Sequence, residues 1–169
     1  AAIDARGEWP GIRLLRGISD VPVLRPDGSL CQTPGYDEQT GVLYEPSGDF
    51  PPVDDEVTID DAEAALDDLH EVVCDFQFES EDHRSAWLAG LLTPLARFAF
   101  DGPAPLFLID ANVRGAGKGL LAQTIGQIVL GREMPVSSYA HEPEEMRKKI
   151  TAIAIAGDRM VHLDNLEGS

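Results

Sequence analysis

The sequence predicts an α/β fold with a parallel sheet, and three observations in its C-terminal third predict it. An apolar run, "PLFLID" (105–110), leads into a glycine-rich loop and then into a run of helical period, "KGLLAQTIGQIVLG" (118–131). A second strand-like run, "MPVSSYA" (134–140), leads into "EPEEMRKKITAIAIAG" (142–157), whose Pro143, early acids and closing Gly157 are helix signals. A third apolar run, "RMVHLDNLEG" (159–168), reads as a strand ending in Asp164. Strand–loop–helix followed by strand–helix–strand is the grammar of an α/β fold with a parallel sheet, because a helical crossover brings the chain back to the end of the sheet from which it started.

Upstream elements differ in kind. Residues 11–46 are rich in short apolar runs and turns. "VPVLRPDGSLCQ" holds Pro26-Asp27-Gly28, a hairpin signal, and "GYDEQTGVLYEP" places Gly41 before the strand-like Val42-Leu43-Tyr44. "PSGDFPPVDDE" (46–56) reads as a linker. A helix is predicted from an N-cap at Thr58 to about Phe76, with Ile59, Ala62, Leu66, Leu69 and Val73 at helical spacing. A second starts at Ser80, its buried stripe being Trp87, Leu88, Leu91, Leu92, Leu95 and Phe98, and Pro94 should kink or break it. The parts are a β-rich extension and linker over 1–56, a helical segment over 57–104 and an α/β core over 105–169. Gly131 is the expected stop of the helix that follows the glycine loop, whose Leu121, Ile125, Ile128 and Val129 share one side.

Composition narrows the class. The chain has 169 residues, 43% hydrophobic and 25% charged, a globular rather than disordered balance. No leader is visible in residues 1–20. The most apolar stretch, 88–100, is too short to span a bilayer and contains Arg97, so no membrane segment and a cytoplasmic location are expected. Cys31 and Cys74 lack metal-type spacing and are expected to be reduced structural thiols. The net charge of −17 is local: no Lys or Arg lies between Arg25 and Arg84, whereas 17 Asp and Glu fall between Asp37 and Asp82. That block repels phosphate, so it is a solvated face or a docking surface for a basic partner, not a nucleic-acid contact.

The loop "DANVRGAGKGLLAQ" (110–123) carries the chemistry. A phosphate cradle needs inward-turned backbone N–H groups, a helix N-terminus and a Lys that reaches the terminal phosphates. Gly115, Gly117 and Lys118 supply these at the join between an apolar strand and a helix. Asn112, Val113, Arg114, Gly115, Ala116, Gly117, Lys118, Gly119 and Leu120 are the candidate nucleotide-binding residues. Asn112 replaces the first Gly of the common pattern, a mild change because Asn tolerates the left-handed region. Gly119 replaces the Ser or Thr whose hydroxyl ordinarily ligates Mg²⁺. Arg114 touches phosphate or is a solvated cation.

A metal-shell acid is expected at the C-terminal end of a parallel strand, and Asp164 in "MVHLDN" fits that place. Asp164 is therefore the candidate metal residue, with Lys118, Asn165 and Glu167 as further candidate catalytic residues. Asn165 stands where many ATPases have Glu; it can orient water but cannot act as a base. Glu167 lies two residues on and could substitute. Arg147, Lys148 and Lys149 read as an exposed face pairing with Glu144 and Glu145 at i,i+4 spacing. His70, His83, His141 and His162 show no ligand spacing.

"GYDEQTGVLY", "LAGLLTPLARFAFDGPAPLFLIDANVRGAGKGLLAQ" and "EEMRKKITAIAIAGDRMVHLDNLEG" together resemble the ATPase region of primase–helicase-type replication proteins of phages, plasmids and integrative elements. The resemblance covers most of residues 20–168. It implies an AAA+-like P-loop core, three-layered and incomplete here, preceded by a β-hairpin and helical extension. It also implies ATP and Mg²⁺ as ligands, a homo-oligomeric ring, and DNA held through other parts of a longer protein. Carried over, Gly115, Gly117 and Lys118 cradle phosphates and Asp164 serves the magnesium shell, while the Asp164-Asn165 pair matches the family's Asp-Asn. The further strand and trans-acting arginine of such a core do not follow Asp164, so a fragment with weak activity is expected.

Two other functions stay open on the residues alone. "GAGKG" is also the loop spelling of adenylate kinases, which points to a small-molecule phosphotransferase, although the loop arrives here only after 110 residues. An interaction module, switched by nucleotide or non-catalytic, would use the acidic block as its working face.

Overall fold

The computed structural model describes residues 9–54 and 56–166 and shows a mixed α/β protein with four helices and small sheets among them. The chain forms two compact units. The first comprises residues 1–53 with 96–102, the second 54–95 with 103–169.

The first unit is built from five short strands, β1 (Gly17–Ser19), β2 (Val23–Leu24), β3 (Leu30–Cys31), β4 (Gly35–Asp37) and β5 (Val42–Tyr44). β2 and β3 form the expected hairpin, pairing Val23 with Cys31 and Leu24 with Leu30 around Gly28, whose φ of 86° only glycine adopts freely. β5 pairs antiparallel with β4 and parallel with β1, so the order is β1-β5-β4. Val23, Cys31 and Tyr44 form the core, with the Phe98 ring against it. Cys31 is buried and its thiol is pushed up by burial; Cys74 is exposed. The Gln32 amide both donates to and accepts from the Val53 backbone, at 2.9 Å each way, which ties the expected linker to the unit.

The second unit carries α1 (Ile59–Val72), α2 (Glu81–Leu95), α3 (Lys118–Leu130), β6 (Val136–Ser138), α4 (Pro143–Ala156) and β7 (His162–Asp164). α1 begins at Thr58 in a capping box: the Thr58 side chain accepts from the Asp61 N–H, and the Asp61 carboxylate accepts from the Thr58 N–H. α1 ends four residues short of Phe76, and none of its residues is buried. Ile59, expected on its packed side, is 76% exposed; the helix is anchored instead by Leu69 and by Val73 just past its end. α2 stops one residue after Pro94. Trp87, Gly90 and Leu91 are its buried residues, whereas Leu92 is half exposed and Phe98 lies in the first unit.

α3 is the hub of this core. Ala122, Ile125, Val129 and Leu130 pack with Val73, Trp87, Leu91 and Met134. The Trp87 indole N–H donates to Thr124 Oγ1 across the helix pair, at 3.2 Å. Gln123 clasps the Met134 backbone through both ends of its amide. Leu121 is half-buried as expected, but Ile128 is 38% exposed. Gly131 and Gly157, both left-handed, close α3 and α4 as predicted.

β6 and β7 pair in parallel, Val136 with His162 and Ser138 with Asp164. The strand predicted at 105–110 is not paired. Its residues still alternate: Phe107 lies against Gly90 and Ile109 against the core, while Leu106 and Leu108 are 81% and 71% exposed. That is the period of a strand with no neighbour to bond it.

Candidate functional site

The glycine loop runs over 111–117 and enters α3 at Lys118, as the sequence predicts. Gly115 and Gly117 have φ of 76° and 81°, the left-handed region that turns successive amides inward. A Cβ on Gly115 would meet nothing within 4 Å, so the space above the loop is open. A Cβ on Gly117 would come within 3.3 Å of the Phe76 ring, which braces the loop from beneath. Gly117 is the N-cap of α3, and no side chain caps that end. The first amides of the helix have no carbonyl one turn back, so they and the partial positive charge of the helix end face the loop. Lys118 is the first helical residue and is exposed, as are Asn112, Val113, Arg114, Ala116, Gly119 and Leu120.

β7 lies beside the first turn of α3. The His162 Cε1 is 3.6 Å from where a Gly119 Cβ would sit. Asp164 is two residues further along the strand and shares the face of His162. It is thus turned to the loop's side, about 7 Å along the strand from the His162 contact. Asp164 is exposed, and its backbone carbonyl accepts from the Tyr139 N–H at 3.1 Å. Asn165 takes φ of 58°, the one left-handed non-glycine among the described residues. Its N–H donates to Asp164 Oδ1 at 2.8 Å, which holds the carboxylate at the strand end. Glu167 lies outside the described residues.

Two features differ from expectation. Arg147 and Lys148 pair with Glu144 and Glu145, but at i,i+3 spacing. Lys149 leaves that face and donates to both Ser138 O and Ser138 Oγ at 2.7 Å, beside the Asp164 register position. No role for His162 followed from its spacing, yet its Nδ1 is buried without a partner at the flank of the loop's helix. Its position two residues before Asp164 on one strand face was the available signal.

The residues fit a nucleotide's phosphates: two left-handed glycines, an uncapped helix end and a Lys on its first turn. They do not make a protein-held metal site. Gly119 offers no ligand atom, and no group of three or more His, Cys, Asp or Glu side chains gathers among the described residues. A divalent cation here would have to arrive with the phosphates. No described helix is long and apolar enough to cross a membrane. Comparison of the chain with protein-family models, with curated proteins and with solved structures finds no match.

Proposed function

We propose that this chain is the ATP-binding module of a DNA replication helicase of the primase–helicase type. One observation carries the nucleotide reading: Gly115 and Gly117, both left-handed, deliver the chain into an uncapped α3 whose first residue is Lys118. Backbone amides and the helix end would hold the β- and γ-phosphates, and the Lys118 ammonium would neutralise them. Mg²⁺ would supply charge neutralisation at the bridging oxygens, with Asp164 holding its water shell. Asn165 would orient water rather than deprotonate it. The P-loop NTPase core, ring assembly and DNA engagement belong to the same proposal and rest on the sequence resemblance.

A titration of the chain with ATP and ADP by calorimetry, with and without Mg²⁺, tests the reading. Wild type should bind both nucleotides and Lys118→Ala neither. Transfer of a phosphoryl group from ATP to AMP would instead establish the phosphotransferase. A second reading, a docking module for a basic partner, is favoured by α1, which presents Asp60, Asp61, Glu63, Asp67, Asp68 and Glu71 and buries nothing. Absence of nucleotide binding in wild type would leave that reading in place of the first.

A further inference from the structure

The first unit holds a cleft of about 290 Å³ lined by Arg16, Arg97, Phe98, Phe100, Asp101 and Gly102, all within that unit, whereas the glycine loop belongs to the second. Its construction is specific. The Arg16 N–H donates to the Gly41 carbonyl at 2.8 Å. The Arg16 Cγ and Cδ lie 3.0 and 3.1 Å from where a Gly41 Cβ would be, so the arginine stem rests directly on bare backbone. The next residue, Gly17, lets the Phe98 ring approach to 3.2 Å of its missing Cβ. The Arg16–Gly41 approach fixes the Arg16 stem, and the Gly17–Phe98 approach joins β1 to the segment 96–102, so both arginines line one cleft. Arg97 lies over the Phe100 ring, 5.4 Å from its centroid, and Phe100 is 39% exposed. Both arginines are exposed, and among the described residues neither forms an ion pair.

We propose that this cleft binds the phosphate ester of a nucleotide, with Arg16 and Arg97 as its ligands and Phe100 as a stacking surface. Two guanidinium forks offer more donors than one carboxylate accepts, and a tetrahedral oxyanion presents acceptors to both. Arg97 lies over one face of the Phe100 ring, and the ring's remaining exposed surface accepts the flat face of a base. The volume is at the small end of ligand clefts, about 300 Å³, which suits a single nucleotide. Asp101 opposes the anion and limits its affinity. The same chemistry is offered by a free nucleotide and by one unit of a single strand, and this inference stands apart from the glycine-loop reading.

The test uses the full chain carrying Lys118→Ala, which removes the loop's ammonium. Inorganic phosphate, dTMP and a labelled eight-residue oligo(dT) are titrated by calorimetry and anisotropy, in wild type at 16, 97 and 101 and in Arg16→Gln, Arg97→Gln and Asp101→Asn. Each arginine variant should weaken binding about tenfold, the order expected for a lost charge-assisted contact. Asp101→Asn should tighten it, a gain that misfolding cannot mimic. Oligo(dT) bound tenfold more tightly than dTMP would assign the cleft to a strand; equal affinity would assign it to free nucleotide. Unchanged affinity in both arginine variants, or no binding of any of the three probes, would overturn the proposal.

Discussion

Gly126 shows how little room this core leaves. A Cβ there would come to 2.6 Å of Met134 Cγ and 3.0 Å of the Met134 backbone nitrogen, and that backbone is already clasped by Gln123. Gly126→Ala is therefore expected to destabilise the second unit by about 1–3 kcal/mol in denaturant melts, the usual cost of overpacking. An unchanged midpoint would show that the α3–β6 junction yields. Asp164 is the opposite case. It is exposed and engages only its own neighbourhood, so Asp164→Asn should leave stability within about 0.5 kcal/mol of wild type. On the proposed function the same variant should bind ATP and lose the part of the affinity that Mg²⁺ adds. Retained magnesium dependence would remove Asp164 from the metal shell. Neither residue's surroundings were readable beforehand. Asp164 stood out through its place after an apolar run, but Gly126 looked like any helical glycine because the residue that crowds it comes eight positions later.

At the scale of elements, the small sheets are locked by polar groups as much as by apolar ones. Arg25 donates to the Asp37 carboxylate at 2.8 Å and to Leu30 O at 2.8 Å, and Asp37 accepts from both the N–H and the hydroxyl of Thr40. Burial works against ionisation of Asp37, but the bonds from Arg25 and Thr40 outweigh it and leave its pKa below the ordinary carboxylate value. With the folded value depressed, the unfolded chain takes up the proton first as pH falls. The stabilisation from ionised Asp37 is thus complete above the ordinary value, about 3.9, and is lost as pH drops through the folded one. Asp37→Asn should cost about 2–3 kcal/mol at neutral pH, through the partner groups it leaves unmatched. Urea melts across pH should show that difference constant above about pH 5 and shrinking below about pH 4; a difference independent of pH would contradict the assignment.

Much at this scale was legible. The hairpin at Asp27-Gly28, the caps at Thr58, Gly131 and Gly157, and the strand–helix–strand order of 134–164 follow from local chemistry, which one sequence contains. The run 105–110 shows the limit. Its alternation was correctly that of a strand, but pairing requires a neighbouring edge, and Leu106 and Leu108 stay exposed without one. α1 shows another: its apolar spacing promised a packed face, whereas its acids keep it in water as far as Leu69. The burial of a periodic helix depends on what is opposite it, and periodicity does not say.

For the whole molecule, the charge is unevenly distributed along the chain. The acidic block between Asp37 and Asp82 lies outside the glycine loop, and the loop's own surroundings include Arg114 and Lys118. Those two cations stand beside Asp110 and Asp164, on a chain whose net charge is −17. The central claim is that the loop ahead of α3 is a phosphate site. Its most direct test is thermal unfolding with ATP, ADP and AMP, each with and without Mg²⁺, in wild type beside Lys118→Ala. ATP or ADP at about a hundred times its dissociation constant should add roughly 2.7 kcal/mol to the stability of the loop-bearing unit and raise its midpoint by several degrees. The account predicts that shift in wild type and its loss in Lys118→Ala. An equal shift in both proteins, or none with any nucleotide, would contradict it.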